Sequence, residues 1–159
     1  MKVYLMQHGK PVPKEVDQNR PLSDQGRIDI EMIAKFLTKR RVDIQRIFHS
    51  GKTRARETAE ALMHGMDFDL APIEISGLFP MDSVKDTADM IKNSEMNIMF
   101  VGHLPHLAKL LSLLVSGNEN NSIANFQQGG LVCLENTNDT WSITWMLVPE
   151  IIYFRANKL

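Results

Sequence analysis

The chain has 159 residues, of which 18 are lysine or arginine and 19 are aspartate or glutamate, so its formal net charge is -1. Hydrophobic residues make up 43% of the sequence and charged residues 23%, a composition that excludes disordered, collagenous and low-complexity proteins. The length predicts a single domain over residues 1–159, and the balanced charge favours neither a nucleic-acid nor a membrane partner.

The first residues do not have the pattern of a targeting or membrane segment. The apolar stretch over residues 1–6 is too short and wrongly flanked for a signal peptide, and no run of 18 apolar residues occurs in the sequence. Cys133 is the only cysteine, so no internal disulfide can form. We therefore expect a cytoplasmic protein.

The first half of the chain alternates between strand and helix patterns. Residues 3–6 have the pattern of a buried strand, and Ser23 is a typical N-cap at the start of a helix. The spacing of apolar residues in this helix predicts an inner face that contains Ile28, Met32, Ile33, Phe36 and Leu37. Residues 44–48 and 73–75 are predicted strands, and residues 53–63 between them are a predicted helix.

The second half continues the alternation and then ends in two strands. A helix begins at Ser83, residues 97–101 form a near-continuous apolar strand, and a further helix begins near Pro105. Residues 131–135 and 141–146 are two strands joined by a short polar loop, which predicts an antiparallel hairpin.

These elements predict an α/β fold. Repeated βα units indicate one three-layer αβα domain with a mostly parallel central sheet, and the hairpin adds an antiparallel C-terminal edge. Residues 116–128, the densest polar stretch, are predicted to form a surface loop. Trp141 and Trp145 stand four residues apart in the last strand, so they are expected to share one face of the sheet.

Polar side chains follow three of the predicted parallel strands directly. The three segments are Gln7-His8-Gly9, His49-Ser50-Gly51-Lys52-Thr53-Arg54 and Gly102-His103-Leu104-Pro105. Because ligands bind at the carboxyl ends of strands in such sheets, His8, His103 and Arg54 are expected to converge there. One histidine in such a place more often hydrogen-bonds a neighbouring backbone group, and only the joint placement favours a functional site.

Two histidines and several cations without a cysteine nucleophile suit phosphoryl transfer best. A neutral imidazole can attack phosphorus in line, while arginines and backbone N–H groups offset the charge on the equatorial oxygens. Arg54 lies one turn into its predicted helix, near an N-terminus that favours anions. Arg20 precedes Pro21, which predicts an extended conformation that aims the Arg20 side chain back over the same strand edge.

Three segments resemble, in sequence order, the signatures of one family. Gln7-His8-Gly9 is similar to the Arg-His-Gly signature of the histidine phosphatase (phosphoglycerate mutase-like) superfamily. The segment from Ser50 to Glu60 resembles the second signature of that superfamily, Ser-Pro-x-x-Arg-Ala-x-Gln-Thr-Ala. The third signature resembles Val101-Gly102-His103-Leu104-Pro105. Residues 20–26, the short length and the closing Trp-x-x-x-Trp strand are similar to the compact SixA-type phosphohistidine phosphatases.

The resemblance implies roles for individual residues. It implies that His8 is the nucleophile that carries a transient phosphoryl group, that Arg54 and Arg20 are pocket cations, and that His103 is a second histidine that stabilises the transferred phosphoryl group. The residues expected to contact the substrate beside Arg20 are Gln7, Gly9, Ser50 and Leu104.

This chain departs from the family pattern at two positions. Gln7 stands where the family usually has an arginine, which removes one cation and leaves a neutral amide. Gly51 replaces the proline at the helix start, which lets the backbone approach an anion closely. With Gln7, both an active enzyme and a noncatalytic phosphate or phosphoprotein sensor remain open.

The length of the chain bears on the substrate. Only 48 positions separate Arg54 from His103, and predicted elements use most of them, so the capping segment of larger family members has no room here. An open site suits a phosphohistidine-bearing protein, for example a phosphotransfer domain.

Asp82 is the only carboxylate in the region where relatives carry a general acid, and it is equally explained as a solvated residue beside Ser83. A broad-specificity phosphomonoesterase is the alternative enzyme.

A metal site is the weaker alternative for the histidines. His106 lies three residues after His103, so a metal pair is conceivable, but no nearby cysteine or carboxylate run supplies a third ligand. We expect that the protein uses no metal and no other cofactor.

Overall fold

A computed structural model describes residues 1–156 and the side chains of residues 1–153. A six-stranded mixed sheet forms its centre, in the spatial order β3-β2-β4-β1-β5-β6. The strands are β1 (Lys2–Gln7), β2 (Arg46–His49), β3 (Ile73–Glu74), β4 (Ile98–Gly102), β5 (Leu131–Thr137) and β6 (Thr140–Leu147). The predicted α/β class, with a parallel sheet and an antiparallel C-terminal edge, is confirmed.

The register of the parallel strands brings the predicted site together. In the β1–β4 pair Gln7 lies opposite Gly102, and in the β2–β4 pair His49 lies opposite Val101. The carboxyl ends of the three strands therefore lie level at one edge of the sheet. The polar segments that follow these strands begin side by side.

Helices cover both faces of the sheet. The five helices are α1 (Asp24–Lys39), α2 (Thr53–Gly65), α3 (Val84–Lys92), α4 (His106–Ser116) and α5 (Pro149–Ala156). Helices α1 and α2 pack on one face with α5 against α1, and α3 packs with α4 on the other. The C-terminal helix α5 was not predicted from the sequence. No helix within residues 1–156 is long and apolar enough to cross a membrane.

The predicted inner face of α1 is wrong at one position. Ile28 is 48% exposed, whereas Ile30, Ile33 and Leu37 are buried. The reason is Gly26, whose backbone lies so close to the Lys10 carbonyl group that no Cβ would fit there. This approach fixes the rotation of the first turn, and Ile28 then points away from the sheet.

The prediction that the two tryptophans share one face is also wrong. Trp145 packs in the core on the α1 side, where its ring centroid lies 6.0 Å from that of Tyr4, whereas Trp141 packs in the core on the α3 and α4 side. A β-bulge explains the difference: Cys133 pairs with Trp145 but Leu134 pairs with Ile143. The extra residue in β6 reverses the alternation of side chains.

Candidate active site

His8 and His103 lie next to each other at the carboxyl edge of the sheet. His8 follows β1 and His103 follows β4, and the His8 N–H donates to the Gly102 carbonyl oxygen. The two imidazole centroids are 5.0 Å apart, with the rings tilted by 52°. Both side chains are buried, with 6% of His8 and 2% of His103 exposed. The predicted convergence of these two histidines is present in the structure.

The contacts of His8 assign its tautomer. Nδ1 lies 2.8 Å from the Gly9 carbonyl oxygen, an acceptor, so Nδ1 carries the proton. Arg54 Nε donates to Nε2 across 3.0 Å, so Nε2 presents its lone pair. Burial lowers the pKa of His8 to about 4; the Gly9 carbonyl opposes this shift, and the charges of Arg54 and Arg20 add to it. His8 is therefore a neutral imidazole at pH 7.

His103 is held by the segment that precedes α2. Its Nε2 lies 2.6 Å from Ser50 Oγ, and Ser50 is itself buried. Burial lowers the pKa of His103 to about 3, and the nearby groups His8, Arg54 and Lys52 lower it further. Nδ1 of His103 is buried and has no hydrogen-bond partner among the described residues.

Arg54 stands in the first turn of α2, whose N-terminus is open. The N-cap Lys52 makes no side-chain capping hydrogen bond. The first N–H groups of a helix lack intrahelical partners and favour an anion there. Arg54 and Lys52 therefore add two formal charges to a site that already attracts anions.

Thr58 connects the Arg54 turn to the His8 loop, a contact that sequence reasoning missed. The Gly9 N–H donates to Thr58 Oγ1 across 2.9 Å, and the Thr58 hydroxyl donates to the Arg54 carbonyl oxygen across 2.7 Å. Gly9 is tightly packed, since a Cβ there would lie 3.0 Å from side-chain atoms of Ile30 and Leu22. The available signal was the position of Thr58, one turn after Arg54 in the second signature.

Arg20 lies near the site, but its predicted extended conformation is wrong. Its φ is 50°, in the left-handed region, because its N–H closes a turn on the Asp17 carbonyl oxygen. The Arg20 charge is close enough to His8 and Arg54 to lower the pKa of each. Its Nε is buried without a hydrogen-bond partner among the described residues, and the side chain lines a cleft of about 400 Å³ with Lys10 and Gln128.

Gln7 and Leu104 flank the two histidines in the chain. The backbone N–H of Gln7 donates to the Gly130 carbonyl oxygen, and its own carbonyl accepts from Gly129. The side-chain Oε1 is buried and has no partner among the described residues. Leu104 is 38% exposed beside the buried His103.

The loop that contains Asp82 packs against the start of α4. Asp82 Oδ2 accepts from the Phe79 N–H across 2.8 Å, so this carboxylate stabilises its own loop. His106 Nδ1 lies 3.3 Å from the Asp82 carbonyl oxygen, which directs His106 toward this loop. Among the residues with described side chains, no three His, Cys, Asp or Glu groups lie together as metal ligands would.

The volumes of the clefts do not by themselves locate this site. A cleft of about 740 Å³ lies at the opposite end of the sheet, lined by Tyr4, Phe36 and Trp145 among others, and contains none of the predicted site residues. The edge with His8 and His103 has the perturbed imidazoles and the converging cations. Such perturbed groups indicate a functional site better than volume does.

A family comparison agrees with this geometry. The family model described as "Histidine phosphatase superfamily (branch 1)" matches residues 3–78, which include His8 and Arg54. Residues 3–78, just under half of the chain, therefore match the histidine phosphatase superfamily. The match ends before His103, so the place of this residue beside His8 comes from the structure alone. A search of curated proteins found no match to this chain.

Solved structures share the fold. The protein histidine phosphatase SixA complexed with tungstate has a TM-score of 0.85 at 20% identity, with 96% of this chain and 99% of that chain covered. A protein described as a phosphohistidine phosphatase SixA from Agrobacterium tumefaciens has a TM-score of 0.75 at 24% identity, covering 92% and 97%. A variant phosphoserine phosphatase from Entamoeba histolytica, in complex with phosphoserine, has a TM-score of 0.69 at 15% identity, covering 91% and 96%.

Proposed function

We propose that this protein is a histidine phosphatase that removes the phosphoryl group from phosphohistidine in proteins through a covalent phospho-His8 intermediate. The observation that carries the proposal is the state of His8. It is buried and neutral, its proton is held on Nδ1 by the Gly9 carbonyl group, and its Nε2 lone pair faces Arg54. A nucleophile on phosphorus needs such a lone pair beside a cation that can bind the phosphoryl oxygens.

In the first step, the His8 Nε2 lone pair forms a bond to phosphorus as the P–N bond of the substrate breaks. The electron pair of that bond goes to the departing imidazole nitrogen, and the substrate ring leaves as neutral imidazole because its other nitrogen carries a proton. Arg54 moves its N–H from Nε2 to a phosphoryl oxygen, and Lys52, Arg20 and the N-terminus of α2 offset the remaining negative charge. The tautomer of His8 requires no proton transfer before the attack.

In the second step, water attacks phospho-His8 and the Nε2–P bond breaks. The products are inorganic phosphate and neutral His8, so the protein returns to its starting state. His103 lies beside His8 and is neutral in the unoccupied pocket. A bound phosphoryl dianion reverses the local field and raises the pKa of His103, which then donates a stronger hydrogen bond to the anion.

The leaving group favours a phosphohistidine substrate over an alkyl phosphate. An alkoxide leaving group needs a proton from a general acid, whereas an imidazole ring whose other nitrogen is protonated, with a pKa near 6.5, leaves as a neutral group. In the loop after β3 the carboxylate is Asp82, whose Oδ2 accepts from the Phe79 N–H. Relatives described as SixA phosphohistidine phosphatases support the same choice, while the phosphoserine phosphatase with this fold keeps the phosphomonoesterase as the alternative.

The covalent route is tested by intact-mass measurement after rapid mixing with a histidine-phosphorylated phosphotransfer domain. We expect one phosphoryl group to appear on the protein and then disappear as inorganic phosphate is released. The control is the His8→Ala variant, which should acquire none. Hydrolysis at an undiminished rate by folded His8→Ala would overturn the covalent route.

The effect of substituting Gln7 distinguishes an enzyme from a noncatalytic sensor. Gln7 directly precedes His8, and its side-chain amide offers a neutral N–H donor to a phosphoryl oxygen in place of a cation. In an enzyme adapted to glutamine, Gln7→Ala lowers kcat/KM. If the wild-type protein binds the phosphorylated domain without turnover, and Gln7→Ala changes only the Kd, the sensor is correct and the proposed enzyme is wrong.

A further inference from the structure

We propose that a cleft, here called the acidic cleft, binds a basic side chain of the substrate protein close to its phosphohistidine. It lies beside the pocket formed by His8, His103 and Arg54, here called the phosphate pocket. This inference rests on the proposed function. The acidic cleft has a volume of about 490 Å³. The lining residues used in the argument are Ser50, Glu74, Phe79, Asp82 and Asp86.

The acidic cleft lies next to the phosphate pocket. Ser50 forms part of its wall, and the Ser50 hydroxyl lies 2.6 Å from Nε2 of His103. A group in the cleft therefore lies one side chain away from the histidine pair.

The departure of this chain from the family signature makes room for one of the carboxylates. Gly51 has a φ of 80°, which a proline cannot adopt, and a Cβ at this position would lie 2.5 Å from the carboxylate of Glu74. Glycine therefore lets Glu74 lie against the segment that leads into α2. The glycine at position 51, where the family signature has proline, and the position of Glu74 in the cleft wall therefore depend on each other.

The charges of the two neighbouring sites are opposite. Lys52 and Arg54 surround the phosphate pocket, whereas the acidic cleft has Glu74, Asp82 and Asp86 on its wall. None of these three carboxylates forms an ion pair with a lysine or arginine among residues 1–153. A phosphohistidine with a lysine or arginine nearby matches this order of charges, and one with an acidic neighbour is repelled.

Phe79 gives the acidic cleft an apolar wall. Phe79 is 47% exposed, and Lys52 Nζ lies 4.5 Å from the centroid of its ring. The aliphatic stem of a lysine or arginine can pack on such a ring while its charged end reaches the carboxylates. The loop is held in place by the hydrogen bonds of Asp82 and His106. The site is thus built for a long cationic side chain rather than for a bare ion.

The test uses peptides phosphorylated on their single histidine, in a neutral background, with one lysine or one glutamate at each of the four positions on either side. We expect at least one lysine position to raise kcat/KM about tenfold over its glutamate counterpart, in line with a few partly screened ion pairs. The preference should shrink as salt is added.

Variants locate the effect in the acidic cleft. The double change Glu74→Gln and Asp86→Asn should remove most of the lysine preference, and Asp86→Lys should reverse it. The matched control is Asp89→Asn, because Asp89 is also exposed on α3 but does not line the cleft. An equal loss in Asp89→Asn would mean that overall charge, and not the cleft, sets the preference.

Hydrolysis of free phosphohistidine distinguishes a failure of the acidic-cleft proposal from a failure of the proposed function. If the wild-type protein hydrolyses free phosphohistidine and the peptides but discriminates less than twofold between lysine and glutamate at every position, the acidic cleft has no such role. If it hydrolyses neither free phosphohistidine nor any peptide, the proposed function itself fails.

Discussion

Arg54 Nε donates a hydrogen bond to Nε2 of His8 across 3.0 Å, so a permanent cation contacts the nitrogen that we propose as the nucleophile. This contact excludes a proton from Nε2, because both partners would then be donors. It also places the guanidinium group where phosphoryl oxygens arrive. One residue therefore maintains the reactive form of His8 and receives the anion that His8 attacks.

The titration of His8 is the most direct check of this arrangement. Burial, with the charges of Arg54 and Arg20, lowers the pKa of His8 to about 4. We expect ¹⁵N-histidine NMR of the substrate-free protein to show the neutral Nδ1–H tautomer of His8 from pH 8 down to pH 5. The signals are assigned with the His8→Ala variant. A midpoint near 6.5, the ordinary pKa of histidine, would contradict the burial and contacts described.

The same pKa makes stability depend on pH. Unfolded histidine binds a proton near pH 6.5, whereas His8 in the folded protein binds one only near pH 4. Between these values the unfolded state binds more protons, so the free energy of unfolding falls as the pH is lowered, by roughly 3 kcal/mol from His8 alone. Urea unfolding between pH 7 and pH 4.5 measures this. His8→Asn should show a shallower fall, and an identical slope in both proteins would contradict the prediction.

Removal of the Arg54 side chain should reduce turnover strongly. Arg54→Ala takes away a charged donor to the phosphoryl group in a buried site, a loss of about 3 kcal/mol or roughly a hundredfold in kcat/KM. It also removes a positive charge beside His8, so the pKa of His8 should rise. The matched control is Arg56→Ala on the same helix, because Arg56 is exposed and pairs with Glu60. Similar activities for the two variants would show that Arg54 does not act on the phosphoryl group.

Thr58 should position His8 through the backbone. Thr58→Val has a similar shape but leaves the buried Gly9 N–H without its acceptor, at a cost of roughly 1–3 kcal/mol in the free energy of unfolding. We expect kcat to fall with it, because Gly9 accepts the Nδ1 proton of His8. Thr58→Ser keeps the hydroxyl and should recover kcat even where stability stays reduced. Loss of stability in Thr58→Val with unchanged kcat would assign Thr58 a structural role only.

A substrate series tests whether Asp82 acts as a general acid. Values of kcat/KM for a phosphohistidine protein, an aryl phosphate and phosphoserine should decrease in that order, because the leaving groups become harder to expel without a proton. Asp82→Asn should leave kcat/KM for the phosphohistidine protein within about threefold, because a ring protonated on its other nitrogen leaves without a proton from the enzyme. Comparable rates on phosphoserine together with a large loss in Asp82→Asn would make the protein a phosphomonoesterase.

The sequence by itself determined the elements and the chemistry available to them. Alternating strand and helix patterns predicted the α/β fold, since strand and helix periodicities are local properties of the chain. The strands ended where His8, Ser50 and His103 begin their polar segments, so these residues could be assigned to one edge of the sheet before any contact was known. The boundaries differed by only a few residues, as for β2, predicted over 44–48 and observed at Arg46–His49.

Only the tertiary structure decided which of these side chains meet, and how. The distance between His8 and Arg54, the Thr58 hydrogen bonds and the place of Glu74 against Gly51 all join segments that are far apart or separately folded in the chain. Predictions from local sequence patterns were wrong at two places where the backbone departs from regular geometry. The bulge in β6 turned Trp145 to the other face, and the turn on Asp17 gave Arg20 a left-handed conformation. Side-chain direction depends on register, bulges and close backbone approaches, and these are set by packing between distant segments rather than by periodicity.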